Sequence, residues 1–262
     1  MSQIASVSLS VRELVEFILA SGSIDNRGGG DLYQRANEGA RLHRKLQKRS
    51  RSQYGEIYQP EVTLSDERKV DGVVFHIYGR ADAILDDPEG PIIEEIKTTE
   101  LALTLLSDQP EQSGYNPLHW AQATCYAFIL AQQRQLPEVR VRLIYCQLET
   151  EETISFTHRL SFEQLSQFYL DLLARYHRWA MMRFDWEQLR NRCAKQLAFP
   201  FSEYRAGQRQ MAAVIYRAAE NGSRVLCQAP TGIGKTISSL FPSIKALGEG
   251  KLSHIFYLTA KN

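Results

Sequence analysis

Pro91-Ile-Ile-Glu-Glu-Ile-Lys-Thr98 reads as an apolar strand interrupted by charge. Upstream lies a second strand, Gly72 to Leu85, which carries Gly79-Arg-Ala-Asp-Ala83, and Asp86-Asp-Pro-Glu-Gly90 joins the two as a hairpin turn. Alternate side chains of a strand share a face, so Glu95 and Lys97 project together while Glu94 and Ile96 project to the other side. Asp82 on the neighbouring arm reaches the same spot. Two carboxylates supply hard oxygen ligands for Mg²⁺ or Mn²⁺, and a lysine beside them positions a water or stabilises charge on a phosphate. A lone Glu-x-Lys is most often a surface pair on an edge strand; what separates this one is its apolar strand and the aspartate across the hairpin.

Outward from this pair, a strand is expected at Ile57 to Leu64, a helix at Pro117 to Gln133 and strands at Val139 to Gln147 and Thr153 to Leu160. An amphipathic helix is expected from Phe162 to Met182. Near the N-terminus, Val11 to Ala20 is a short helix, and Arg27-Gly-Gly-Gly30 turns into a second helix from about Asp31 to Arg49. One stripe of that second helix holds Leu32, Ala36, Gly39, Ala40, His43 and Leu46, with Arg41, Arg44, Lys45, Lys48 and Arg49 largely off it. His43 on the inward stripe is either a hydrogen-bonded core histidine or a ligand. Gln122 and Tyr126 lie four apart on one helix side, a spacing that packing alone also explains. The basic face is equally a solvated helix surface or a grip on phosphates.

Composition sets the outer bounds. With 262 residues, 44% hydrophobic and 23% charged, the chain has the make-up of a globular protein with room for two modest domains, and a net charge of +1 confines any nucleic-acid surface to local clusters. The four cysteines, at 125, 146, 193 and 227, include no CxxC pair, which argues against a zinc ribbon or disulfide framework and for reduced thiols. No signal peptide and no apolar run approaching a membrane span is evident, so a cytoplasmic protein without membrane contact is expected.

Ala229-Pro-Thr-Gly-Ile-Gly-Lys-Thr236 is a phosphate-binding loop by spacing. Backbone amides of Ala229, Pro230, Thr231, Gly232, Ile233 and Gly234, proline excepted, line such a turn; Lys235 neutralises terminal phosphates and Thr236 holds Mg²⁺. Its expected setting is a buried strand at Arg224 to Gln228 and a helix from Lys235 to Leu247, preceded by a helix at Gly207 to Glu220 and followed by an apolar strand at His254 to Thr259. The domain boundary is placed near 198, giving units of 1–198 and 199–262.

Taken in order, Gly39-x-x-x-His43, Gly79-x-x-Asp82, Glu95-x-Lys97 and Gln122-x-x-x-Tyr126 resemble the motif set of RecB-like nucleases of the PD-(D/E)XK superfamily, over roughly residues 30 to 150. The resemblance implies an α/β fold with a mixed sheet flanked by helices and a DNA substrate. It makes His43, Asp82 and Glu95 metal ligands for Mg²⁺ or Mn²⁺, Lys97 the base-positioning or charge-stabilising lysine, and Gln122 and Tyr126 the residues that order site and strand. Ala81 stands where the superfamily name has proline, a change common in RecB-like members, and the cysteines that hold an iron-sulfur cluster in some relatives are not present, so no cluster is expected. From Phe199 onward the chain resembles the start of a superfamily 2 DNA helicase of the DinG/XPD type. Tyr204, Arg205 and Gln208 match its adenine-contacting segment, residues 229 to 236 its ATP-Mg²⁺ loop, and Phe256-Tyr-Leu-Thr-Ala-Lys261 the start of its DNA contacts. On that resemblance the sequence reads as the first part of a longer nuclease-helicase, cut off after Asn262, and not a helicase by itself. Two other readings compete: a nuclease fold that only holds DNA for the motor, and a small-molecule kinase, against which Tyr204-Arg-x-Gly-Gln208 argues.

Overall fold

The computed structural model describes residues 5–21 and 32–259. The Arg27 to Gly30 turn, the Leu32 and Ala36 side chains and the Ala260–Lys261 end of the expected DNA-contact segment lie outside the described set. The chain divides into two compact units, residues 1–180 and 181–262.

In the first unit β1 (Ala5–Ser10) runs straight into α1 (Val11–Leu19). The junction is a capping box: the Glu13 amide donates to the Ser10 hydroxyl at 3.1 Å, and the Ser10 amide donates back to the Glu13 carboxylate at 2.8 Å. Then follow α2 (Leu32–Tyr54), β2 (Tyr58–Val70), β3 (Val73–Leu85), β4 (Ile92–Thr99), α3 (Pro117–Arg134), β5 (Glu138–Gln147), β6 (Thr153–Ser161) and α4 (Phe162–Gln196), the last of which continues into the second unit. Sequence sets the ends of α3. Asn116 caps it by accepting from the Leu118 amide at 3.0 Å, Pro117 takes the first position where no amide is needed, and Gln135 closes it in the left-handed region at φ 55°.

The strands form one six-stranded mixed sheet in the order β1-β3-β4-β5-β6, with β2 along β3. β2 pairs antiparallel with β3 from Val73 to Leu85, so the other edge of β3 is shared: β1 runs parallel to Val73–Tyr78, and β4 runs antiparallel to Ala83–Leu85. Between those two ladders residues 79–82 have no strand partner on that edge. The sheet is therefore forked at Gly79-Arg-Ala-Asp82. β5 runs parallel to β4, and β6 closes the far edge antiparallel to β5.

Helix α3 packs over β4 and β5 and is buried nearly all round, from Trp120 to Ala131, with Phe128 stacked on Tyr169 of α4 at 4.3 Å. Its small residues Ala121, Ala123 and Ala127 let the backbone come close to the sheet. The N-terminal strand β1 was not anticipated, β2 runs six residues beyond its expected end at Leu64, and α4 passes its expected end at Met182 by a further four turns.

The second unit holds α5 (Gln208–Asn221) and α6 (Lys235–Gly248), packed on each other. The two helices stand close to where the sequence places them, but the two strands do not form. Residues 224–228 and 254–259 carry no strand pairing, and Leu226, Phe256 and Leu258 are exposed at 102%, 84% and 92%. A strand exists only through its ladder partner, and neither segment has one among the described residues.

Candidate active site

The fork in the sheet places three carboxylates on one rung. Extending the β2–β3 and β3–β4 registers by one step sets Glu61 across from Asp82 and Asp82 across from Glu95, and residues directly opposite in a ladder share a face. β4 peels away at this point. In place of the missing ladder bond, the Asp82 carboxylate accepts the Ile96 amide at 2.7 Å, which fixes its orientation. Lys97, two positions along the same face, sits 2.7 Å from Glu95 Oε1 and donates to the Gln122 amide oxygen at 3.2 Å. From α2, the His43 ring reaches Asp82 Oδ2 with Nε2 at 3.0 Å.

Tyr126 completes the group from α3. Its phenol lies against the backbone of Gly79, where a Cβ would stand 2.6 Å from the hydroxyl and 2.8 Å from Cε1, so glycine is required by the close approach. Gly39 plays a milder version of this part, since a Cβ there would meet Thr98 Oγ1 at 3.0 Å. These residues surround a cleft of about 950 Å³ opening between α2, β3, β4 and α3.

Glu95 is 1% exposed, and its Oε2 has no hydrogen-bond partner. Burial first, and the Asp82 charge second, raise the Glu95 pKa against the opposing pull of Lys97. Burial lowers the pKa of the His43 ring, but its hydrogen bond to Asp82 and the charges of Asp82 and Glu61 outweigh that and shift it upward. Burial and the Glu95 charge push the Tyr126 phenol up to about 12, so it acts as a neutral hydrogen-bonding group. An orphaned buried carboxylate oxygen beside a second carboxylate is a costly arrangement for a protein alone and fits a bound divalent cation. The donor set suits Mg²⁺ or Mn²⁺.

His43, Asp82, Glu95, Lys97, Gln122 and Tyr126 thus come together from two helices, α2 and α3, and two strands, β3 and β4. Sequence reasoning missed Glu61, Gln47 and Arg80 around them. Gln47 had a usable signal, lying four residues after His43 on the same helix face. The basic face of α2 is partly neutralised: Arg41 pairs with Glu151 at 2.9 Å, Lys45 pairs with the same carboxylate, and Arg51 bonds Glu56 and the Tyr58 carbonyl. Arg44 faces the cleft, while Lys48 and Arg49 are exposed.

In the second unit the loop 229–236 leads into α6 with Gly234 as its N-cap, and Gly232 and Gly234 adopt φ 83° and 80°. Two of the three residues matched to the adenine-contacting segment hold this loop: Arg205 donates to the Gly232 carbonyl and Gln208 to that of Ile233, each at 2.6 Å. Tyr204 does not join them and stacks on Phe199 at 3.9 Å. Lys235 is folded onto the Pro230 carbonyl at 3.0 Å, and the Thr236 hydroxyl accepts from Tyr257 at 3.2 Å.

The PD-(D/E)XK nuclease superfamily matches the chain over residues 11–218, and the chain belongs to that superfamily. Its members are nuclease-type hydrolases that act on DNA with Mg²⁺ or Mn²⁺. No curated protein matches. Among solved structures, that of SSO0001 is similar with a TM-score of 0.40 at 19% identity, covering 66% of this chain and 78% of that one. No helix among the described residues is long and apolar enough to cross a membrane.

Proposed function

We propose that the first unit is a metal-dependent deoxyribonuclease whose centre is Asp82, Glu95 and Lys97. The observation that carries this is the buried Glu95, tied to Lys97 through one oxygen and orphaned at the other, on the same rung as an Asp82 oriented by the Ile96 amide. Asp82 and Glu95, with His43, are the residues to hold Mg²⁺ or Mn²⁺, which supplies a Lewis acid for the scissile phosphate. Lys97, fixed between Glu95 and Gln122, directs its ammonium into the cleft, where it orders the attacking water or offsets charge on the phosphate oxygens. Gln122 holds that lysine, and Tyr126 seals the cleft floor over Gly79.

Asp82→Asn keeps the shape of the side chain and removes its charge. It is expected to abolish Mn²⁺-dependent nicking of plasmid DNA while leaving the circular dichroism spectrum and melting temperature of the metal-free chain unchanged within a few degrees. Nicking by the variant at the wild-type rate would defeat the assignment of cleavage to this centre, and a wild type that binds DNA without nicking it would leave the alternative, a nuclease fold that only holds DNA.

A second reading concerns residues 199–262 as the opening part of a DinG/XPD-type helicase domain inside the cell. It is supported by the tie of Arg205 and Gln208 to the loop carbonyls and by the two left-handed glycines that turn the loop into α6. In this reading the amides of the loop, Lys235 and Thr236 bind ATP with Mg²⁺, and the nuclease serves the same DNA as the motor.

A further inference from the structure

The β2–β3 ribbon has one face under cover and one in water. Strand alternation turns Val73, Phe75 and Ile77 of β3 inward, each fully buried, with Phe75 edge-on to Tyr176 of α4 at 6.3 Å. His76, Tyr78 and Arg80 turn the other way, together with Asp82. Their ladder partners on β2 are Glu67, Ser65 and Thr63, and on the other edge Ser8 and Ser10 of β1 lie across from His76 and Tyr78. Ser8, Thr63, Ser65, Tyr78 and Arg80 are all exposed.

An outward polar face is ordinary for an antiparallel ribbon. Two features set this one apart. The first is Tyr78, a large ring that is 49% exposed in the middle of the face. Its ladder neighbours on either side are Ser10 and Ser65, too short to cover a ring. The second is continuity with the cleft: the same side of β3 runs from Tyr78 through Arg80 to Asp82 in steps of about 7 Å, and Ser10, Arg80 and Asp82 line the cleft. At its rim Glu61 lies in the left-handed region at φ 58°, and its carboxylate pairs with Arg80 Nε at 2.7 Å, which fixes the guanidinium while the arginine side chain stays 67% exposed. A guanidinium carries five donors, so one carboxylate does not exhaust it.

We propose that this face is the track along which single-stranded DNA enters the cleft, with Arg80 on the phosphate next to the one at the Asp82 centre and Tyr78 stacked on an unpaired base beyond it. The proposal rests on the nuclease reading above and adds to it the class of substrate. In a duplex the bases are stacked on each other and paired, whereas each base of a single strand offers a π-face to an aromatic side chain whatever its identity. The hydroxyls of Ser8, Thr63 and Ser65 are neutral partners for phosphate and sugar, which position a strand without reading its sequence.

The test is binding of fluorescein-labelled DNA to the full chain in EDTA, read by anisotropy, with a thymidine single strand, an abasic strand of the same length and a duplex. Tyr78→Ala is expected to weaken binding of the thymidine strand about 10-fold, the scale of one stacked base. The slope of log affinity against log salt stays as in wild type, because no charge is lost, whereas Arg80→Gln lowers it by about 0.7. Tyr78→Phe keeps the ring and is expected to bind as wild type. The abasic strand is expected to bind wild type and Tyr78→Ala alike, and wild type more weakly than the thymidine strand does, a comparison that needs no variant. A Tyr78→Ala that binds the thymidine strand as tightly as wild type, or that loses as much affinity for the duplex, overturns the track. A wild type that binds and cuts duplex alone also overturns it and leaves the nuclease reading intact, whereas no DNA bound and none cut overturns both.

Discussion

Gly79 and Tyr126 show how the site depends on single atoms. A methyl group at position 79 would overlap both the hydroxyl and a ring carbon of Tyr126, so Gly79→Ala must displace the ring. The expected result is a fall in cleavage rate of about 100-fold, the scale on which a misplacement near 1 Å acts. Tyr126→Phe in the same background gives no relief, because Cε1 still clashes at 2.8 Å. Adding Gly79→Ala to Tyr126→Ala costs little further, since the group it strikes is gone. Additive losses in the two single variants and the double would show that the glycine acts elsewhere. The motif residues were legible in the sequence because strand and helix periods, 2 and 3.6, bring their spacings to one face. Glu61 was not, since nothing in Gln59-Pro-Glu-Val62 marks the glutamate as left-handed; glycine, asparagine or aspartate would have.

At the level of the strand, the two neighbouring glutamates of β4 have opposite fates. Glu94 points to the face away from the cleft, where it is 1% exposed and bonded to Arg142 of β5 at 2.9 Å. Burial raises its pKa, and the Arg142 charge works against that. Removing the arginine leaves a buried carboxylate without compensation, so Arg142→Met is expected to destabilise the fold by about 3 kcal/mol in urea melts, and Glu94→Leu/Arg142→Met to recover most of that loss. A double variant no more stable than the single one would mean that the pair is not what holds this face. The hairpin of β3 and β4, helix α3 and the β5–β6 pair were legible because each has a clear period and local punctuation. β1 was not recognised, although Ser6-Val-Ser-Leu-Ser10 alternates, since its partner β3 lies more than sixty residues away. The far half of β2, Ser65-Asp-Glu-Arg-Lys69, is too polar to read as a strand and is ordered by its ladder with β3. α4 outruns its apolar stripe because no glycine or proline stops it before Pro200, and an Arg183–Glu187 pair at 3.0 Å supports the extension.

Across the whole molecule, the two units differ in how their apolar segments are treated. In the first, the strands find partners and bury; in the second, residues 222–234 are without helix or strand, and Val225 and Leu226 are exposed. The apolar run before the phosphate loop was legible as a strand by composition, but the pairing that makes a strand was not in the sequence. Trypsin is therefore expected to cut first at Arg224, and ATP with Mg²⁺ to slow that cut if the loop binds phosphates. Early cleavage within β3 or β4 would contradict this ranking of stability. Whether Lys97, Asp82 and Glu95 carry metal-dependent hydrolysis is decided by single-turnover cleavage of end-labelled DNA by wild type and Lys97→Ala, alongside Mn²⁺ titration of both. Wild-type cleavage is expected to disappear in EDTA, and Lys97→Ala to bind Mn²⁺ yet cleave at least about 100-fold more slowly; cleavage in EDTA, or an undiminished rate in Lys97→Ala, would rule out this assignment.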